Sequence, residues 1–282
     1  MFILLQYLLP QHSLSRLVGA LCRVRLRWFK NLAIRWFVRS YRPEMQDALQ
    51  PDPESYASFN EFFTRALRPD ARPLADGARK ILCPVDGTVS ELGAIEQDRV
   101  LQAKGRHFTV GDLLAGNAPW AARFAGGEFA TIYLAPYNYH RIHMPADGRL
   151  LETWYVPGRL FSVNPATVDS VPRLFARNER VVCLFEQQQT PFAVILVGAM
   201  NVGSMDTVWH GNVAPRRPRS VRRLPDTGLL APPTARAGDE LGHFNMGSTV
   251  ILLFPRGTCR WRADLKAGST VRMGEALAER LN

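Results

Sequence analysis

Apolar residues follow two different periods along the chain. From Ser13 to Tyr41 the sequence reads "SLSRLVGALCRVRLRWFKNLAIRWFVRSY". At about 3.6 residues per turn, Leu14, Leu17, Val18, Leu21, Val24, Trp28 and Leu32 share one face. Arg16, Arg23, Arg27 and Lys30 fall roughly opposite, with Arg25 off the pattern. The spacing predicts a basic amphipathic helix with tryptophan at its apolar edge. Further on, Ser58 with Glu61 three places later reads as a helix cap ahead of the pair Phe62-Phe63. Residues 1–75 therefore read as a mainly helical region, closed by the Pro- and Asp-containing stretch after Leu67.

From Ile81 the pattern changes to short β-type runs separated by Gly, Pro and Asp-Gly. The runs are "GTVSELGAI", "RVLQA", "EFATIYLA", "RLLETWYV", "RVVCLFEQ", "FAVILVGAMNVGSM" and "STVILLF". "GDLLAG" reads as a short helix, and Pro215 to Gly238 as a long exposed loop. Many short strands without βαβ alternation predict an α+β chain: a helical region, then a compact β-rich domain over residues 76–282. That domain would be a sandwich or barrel of short strands and hairpins. "PVDGTVSE" (84–91) and "PADGRLLE" (145–152) both fit P-x-D-G-x-[VL]-x-E. They are either an internal duplication or two independent Asp-Gly turns.

Composition changes this picture in two respects. The chain has 282 residues, 46% of them hydrophobic and 21% charged, enough for one large domain or two modest ones. The net charge of +10 is unevenly placed. No acid precedes Glu44, and a second basic cluster, "PRRPRSVRR", carries Arg216, Arg217, Arg219, Arg222 and Arg223. Such clusters suit an anionic partner. The amphipathic pattern beside the first cluster favours a membrane surface over nucleic acid. No apolar run approaches the ~20 residues of a transmembrane helix. "MFILLQYLLP" lacks the basic start of an export signal and is broken by Pro10. Cys22, Cys83, Cys183 and Cys259 are far apart, which fits a reducing compartment better than a disulfide framework.

Reactive side chains gather at three tight turns: Asp86 in "CPVDGTV", His140 and His143 in "LAPYNYHRIHMPADG", and Ser248 in "NMGSTV". An acid, a histidine and a serine can form a relay in which the acid orients the imidazole that moves the serine proton. Ser248 follows a glycine and opens a strand, unlike the serine of a G-x-S-x-G elbow. The placement suits self-cleavage. The hydroxyl of Ser248 attacks the Gly247 carbonyl and converts the peptide bond to an ester. A base removes the serine Cα proton, the Gly247 carboxylate leaves, and dehydroalanine remains. Hydrolysis with loss of ammonia then gives a pyruvoyl group. Glycine admits the close approach that the attack requires. A Gly-Ser-Thr sequence taken alone is most often a plain loop. Residues three apart on an extended strand face opposite sides, so His140 and His143 converge only in a turn. Asp86 with the two histidines could begin a metal site. His107, His210 and His243 remain as further ligands without a convincing spacing, and no metal is expected. A metallohydrolase and a non-catalytic membrane-binding module stand as alternatives.

With these residues in view, the chain resembles the bacterial phosphatidylserine decarboxylases. The resemblance rests on "FNEFFTRALRP", "PVDGTVSELG", "LQAKG", "YLAPYNYHRIHMPADG", "YVPGRLFSVNP", "LFARNERVVCLFE", "ILVGAMNVGS" and "FNMGSTVILLF", which together span nearly the whole sequence. It implies that Asp86, His143 and Ser248 carry out autocatalytic serinolysis between Gly247 and Ser248. The products would be a beta chain, 1–247, and an alpha chain, 248–282, that remain partners. It implies a pyruvoyl cofactor derived from Ser248, a Schiff base with phosphatidylserine, and release of CO2 and phosphatidylethanolamine. His140 joins the active site, Asp147 becomes a turn residue, and Gly158 to Asn164 is a head-group-contacting loop. The implied setting is peripheral, on the cytoplasmic face of the bacterial inner membrane, with an anionic phospholipid surface as partner and no nucleic acid. A homodimer is left open. The family's usual L-G-S-T stands here as Met246-Gly247-Ser248-Thr249, a change that conserves size and apolarity.

Overall fold

Val250, Ile251, Leu252 and Leu253 expose no surface at all, and the arrangement of strands around them explains why. The computed structural model describes residues 2–77, 79–200, 204–214, 219–225, 233–245 and 248–281; the side chains of Phe2, Ala214 and Ser248 are outside that description. Helices α1 (Phe2–Leu8), α2 (Gln11–Cys22), α3 (Arg27–Tyr41) and α4 (Phe59–Phe63) come first. Then follow β1 (Lys80–Leu82), β2 (Gly87–Ala94), β3 (Arg99–Ala103), β4 (Arg106–Thr109), α5 (Val110–Leu113), α6 (Ala118–Phe124), β5 (Glu128–Leu134), β6 (Arg141–His143) and β7 (Gly148–Val156). Next are α7 (Pro165–Val168), α8 (Leu174–Arg177), β8 (Arg180–Gln187), β9 (Thr190–Val197), β10 (Met205–Thr207), β11 (Gly211–Ala214), β12 (Arg222–Arg223) and β13 (Thr234–Ala235). The order ends with β14 (Glu240–Phe244), β15 (Ser248–Phe254), β16 (Cys259–Trp261), β17 (Thr270–Val271) and β18 (Ala276–Arg280).

Among the described residues a nine-stranded sheet runs β12-β7-β8-β9-β15-β5-β2-β17, with β13 also on β7. It is open, so the β-rich domain is built of packed sheets and hairpins and is not a closed barrel. β15 lies between β5 and β9, antiparallel to both, with Ser248 opposite Leu134 and Thr249 opposite Val197. A strand paired on both edges and covered on both faces must be apolar throughout, which is how "STVILLF" reads. A second sheet, β11-β10-β14-β6, is four-stranded, and β1-β18-β16 forms a third. "RVVCLFEQ" and "STVILLF" match β8 and β15 residue for residue. The Pro215 to Gly238 loop instead contributes β12 and β13, both paired to β7. Of that stretch, residues 215–218 and 226–232, with Arg216 and Arg217, lie outside the described residues.

The N-terminal region departs from the single amphipathic helix. The helix breaks after Cys22, and α3 starts at Arg27. α2 turns Gln11, Ser15 and Gly19 inward, while Leu17 and Leu21 are exposed. Hydrogen bonding decides the orientation. Gln11 Oε1 accepts from the Leu160 amide at 2.8 Å, and Gln6 Oε1 accepts from the Ser162 amide at 2.8 Å. Unpaired amides are costly when covered, so the polar face docks and the leucines face outward. Gly158 to Asn164, expected to contact the head group, also has a structural part. It is the ledge on which α1 and α2 rest, with Leu160, Phe161 and Val163 buried. α3 buries Lys30, Asn31, Ile34 and Phe37. Phe37 packs on Phe59, Phe62 and Phe63 of α4. Lys30 thus leaves the basic face, its Nζ donating to Asn31 Oδ1 at 2.6 Å and the Glu54 carbonyl at 2.8 Å. Ser58 caps α4 as its spacing suggested, accepting from the Glu61 amide at 3.2 Å.

β10 and β14 are fastened by a charged cluster. His243 Nε2 lies 3.0 Å from Asp206 Oδ2, and Nδ1 lies 3.7 Å from Glu240 Oε1. Burial alone would lower the His243 pKa, but the hydrogen bonds to Asp206 and Glu240 outweigh it and hold the value at about 9. A folded-state pKa raised above the ordinary 6.5 stabilises the protein fully below pH 6.5, and the contribution is lost as pH climbs through about 9. Chemical denaturation should therefore show stability declining across that window, with His243→Gln flattening the decline. A wild-type profile level from pH 6.5 to 9 would remove this role from His243.

Candidate active site

Two strands leave the large sheet side by side and enter the small one still side by side. β5 and β15 are paired in the nine-stranded sheet, and β6 and β14 are paired in the four-stranded sheet. The β5–β6 connection carries Tyr139 and His140. The β14–β15 connection carries Asn245, Met246 and Gly247. They are bonded at the crossing, where the Phe244 amide donates to the His140 carbonyl at 3.1 Å. Met246 and Gly247 lie outside the described residues, and of Ser248 only the backbone, as the first residue of β15, is described.

Asp86 reaches the same place from the other side of β5. β2 pairs with β5 through Thr88 opposite Tyr133, and Asp86 immediately precedes the first residue of β2, Gly87. A Cβ on Gly87 would stand 2.5 Å from the Tyr133 carbonyl oxygen, so only glycine permits this approach. The starts of β2 and β15 flank the end of β5, two strand spacings or ~10 Å apart. The two P-x-D-G segments also grip each other. The Leu82 amide donates to the Pro145 carbonyl at 2.7 Å, and the His143 amide donates to the Pro84 carbonyl at 2.8 Å. The exchange sets the His143 backbone two residues from Asp86. Asp147, in the second segment, accepts from the Ala237 amide at 2.8 Å.

The side chains at this junction are not joined as a conventional relay. Asp86 is buried, and Arg72 holds its carboxylate with Nε at 3.0 and 3.1 Å from the two oxygens and Nη2 at 2.6 Å from Oδ2. The Met273 amide donates to Oδ1 at 2.9 Å. His143 Nδ1 lies 2.7 Å from the Gly238 carbonyl, which can only accept, so the proton sits on Nδ1. Nε2 then accepts from the Tyr139 hydroxyl at 2.9 Å. Asp86 and His143 share no hydrogen bond; burial lowers the imidazole pKa, opposed by the Gly238 hydrogen bond, by Glu240 and, more weakly, by Asp86 through space. His143 is thus a neutral base with Nε2 as its basic nitrogen.

His140 is fully buried, its ring 4.1 Å from that of Phe63. Nδ1 donates to the Asn138 carbonyl at 2.8 Å, and Nε2 has no partner among the described residues. Burial, partly offset by that hydrogen bond, pushes its pKa down to about 3. The two histidines therefore differ: His143 faces a phenol and a carboxylate, and His140 keeps a free lone pair in dry surroundings. Asn245 anchors the chain just before Met246. Its amide donates to the Ser204 carbonyl at 3.0 Å, its Nδ2 to Asp206 Oδ2 at 2.8 Å, and its Oδ1 accepts from Asn60 at 2.9 Å.

Sequence reasoning missed Arg72, Tyr139 and Asn245. Tyr139 lies four residues before His143 in the same quoted motif, and Asn245 two before Gly247, so proximity to the chosen residues was the available signal. Arg72 carried none, because nothing in the pattern links it to Asp86 across the intervening loop. Among the described residues no three or more His, Cys, Asp and Glu side chains gather as a metal site.

A family model described as phosphatidylserine decarboxylase matches residues 59–279, and a further model, PSD, matches residues 1–42. The phosphatidylserine decarboxylase proenzyme of Pseudomonas putida (strain GB-1) is 54% identical over 279 residues, covering 99% of this chain and 97% of that protein. The proenzyme of Saccharophagus degradans (strain 2-40 / ATCC 43961 / DSM 17024) is 49% identical over 282 residues, again with 99% and 97% coverage. The chain belongs to the phosphatidylserine decarboxylase family.

Proposed function

We propose that this chain is a self-processing enzyme that removes the serine carboxyl group of phosphatidylserine as CO2 and leaves phosphatidylethanolamine. The observation that carries the reading is the place of Ser248. It opens a strand locked on both edges, at the end of β5 that Asp86 flanks from the other side, with His140 on the adjoining connection and His143 at the end of β6. A new chain end formed there is held rigidly by β15.

In the processing step, the Tyr139 hydroxyl turns away from His143 Nε2, which then takes the Ser248 hydroxyl proton as the oxygen attacks the Gly247 carbonyl. The Gly238 carbonyl keeps the ring in the required tautomer, and the Asp86 charge supports the imidazolium that forms. Arg72 and the Met273 amide fix Asp86, and Asn245 fixes the chain ahead of the bond to be cut. A pyruvoyl group formed from Ser248 supplies a carbonyl that conjugates with the substrate amine and accepts the electrons released with CO2. The unpartnered Nε2 of His140 fits such a group, since a buried acceptor without a partner is costly unless something completes it. His140, neutral and desolvated, is placed to carry the proton that the product carbon gains.

The outer surface of the helices gives the membrane reading. Leu8 is 83% exposed and Trp28 68% exposed, and Leu4, Leu17, Leu21, Leu32 and Trp36 join them on a region without an acid before Glu44. An exposed apolar surface of this kind beside arginines suits an interfacial position on an anionic bilayer. No helix among the described residues is long and apolar enough to cross a membrane. We place the enzyme on the cytoplasmic face of the bacterial inner membrane.

Intact mass under denaturing conditions tests the chemistry. Wild type should give fragments 1–247 and 248–282, the second lighter by one ammonia than a serine-started chain, while Ser248→Ala stays whole. Asp86→Asn and His143→Ala should slow cleavage by ~10²–10⁴-fold. An uncut wild-type chain that retains Ser248 defeats the reading. Co-sedimentation with phosphatidylglycerol vesicles tests the docking face. The triple variant Leu8→Ser/Leu17→Ser/Trp28→Ser should bind at least about tenfold more weakly. Equal binding would move the contact elsewhere on the molecule.

A further inference from the structure

Arg65 is a buried cation that the mechanism above leaves unused. It follows α4, is 2% exposed, and donates Nη2 to the Tyr137 carbonyl at 3.2 Å. Its guanidinium lies over the Phe62 ring at 5.8 Å, and its Nε and Nη1 are buried with no hydrogen-bond partner among the described residues. A desolvated guanidinium with two idle donor nitrogens is expensive, and a protein retains one where an anion arrives to complete it.

Among the described residues no resident group fills that role: Glu44, on the same cavity, pairs with Arg72 and Arg272. Asp86 attracts Arg65 through space, but its oxygens are already taken by Arg72 and the Met273 amide. The Tyr139 hydroxyl is given to His143 and that of Tyr56 to the Gln50 carbonyl, and burial keeps both phenols neutral. Burial lowers the Arg65 pKa from an ordinary value so high that the charge persists at neutral pH.

Arg65 also faces space. With Arg72, Asp86, Tyr137 and Tyr139 it lines a cavity of about 330 Å³, of a size to hold a small polar group. Tyr41 and Tyr137, both exposed, stand at its edge, and the Tyr41 ring lies 6.0 Å from that of the exposed Trp36. The opening is therefore on the side that carries the apolar helices, where a lipid held in a bilayer would present its head group.

We infer that Arg65 binds the phosphodiester of the lipid head group and so sets the depth at which the serine moiety reaches Ser248. The inference rests on the substrate class proposed above. That head group offers two oxyanions of shared chemistry, a carboxylate and a phosphodiester. Charge change during the reaction separates them. The carboxylate leaves as neutral CO2, so a guanidinium bound to it would stabilise the ground state and oppose the reaction. The phosphodiester keeps its charge from substrate to product, and its oxygens are acceptors for the idle N–H donors of the guanidinium.

The test compares wild type, Arg65→Gln and Arg65→Lys on short-chain phosphatidylserine, with short-chain phosphatidylethanolamine as product inhibitor. The product retains the phosphodiester and lacks the carboxylate. Arg65→Gln should raise KM and the product inhibition constant together, each by about tenfold or more, with kcat little changed. Arg65→Lys should recover part of both. A raised KM with unchanged product inhibition would assign Arg65 to the carboxylate and overturn the inference, as would an unchanged KM. Should Arg65→Gln fail to cleave itself, calorimetric binding of short-chain phosphatidylethanolamine to Ser248→Ala and to Ser248→Ala/Arg65→Gln reads the same contact in uncut chains. Equal affinity there overturns it. An inactive or uncut wild type would instead defeat the proposed reaction, and the Ser248→Ala pair would still report on Arg65.

Discussion

One buried carboxylate ties three distant parts of the chain together. Asp86 receives Arg72 from the segment after the helices and the Met273 amide from the segment after β17. Arg72 in turn reaches Asp47 at 2.6 Å. Such a pair contributes little over a well-packed apolar replacement, but removing one partner strands a charge and costs about 3–5 kcal/mol. Its value is therefore positional. The chain that delivers Arg72 also delivers Arg65, so the N-terminal region builds one wall of the reaction site and is more than an attachment to the sheets.

The second constraint is the paired crossing between sheets. A lone connection passing from one sheet to another would leave its backbone groups unpaired. Two connections passing together bond to each other, as Phe244 does to His140. That geometry brings Tyr139, His140, Asn245 and Ser248 to one corner, and the reciprocal bonds of the P-x-D-G segments add Asp86 and His143. The repeated segment thus has a physical use whatever its origin: each copy supplies the carbonyl that the other's neighbouring strand requires.

How legible these features were depended on whether their cause was local. β8 and β15 could be read to the residue because burial on both faces forces a continuous apolar run. Three-residue strands such as β6 and β10 leave no such trace, being fixed by their partners and not by their own composition. The stripe of leucines in α2 was visible, but the side that faced inward was not. Gln6 and Gln11 decided that by meeting amides some 150 residues away in sequence. Asp86, His140, His143 and Ser248 stood out at tight turns, and the family resemblance singled them out as a site. Their hydrogen-bond partners could not be read, because Arg72, Gly238 and Met273 are joined to them only by the fold.

The central position of β15 carries a consequence for the life history of the molecule. A break in the backbone just ahead of it frees nothing. β15 remains bonded to β5 and β9, β17 to β2, and β18 to β1 and β16. The shorter piece cannot be exchanged for a fresh one without dismantling the core. On the proposed chemistry each copy of the protein makes its reactive end once, from its own serine, and damage to that end retires the whole molecule.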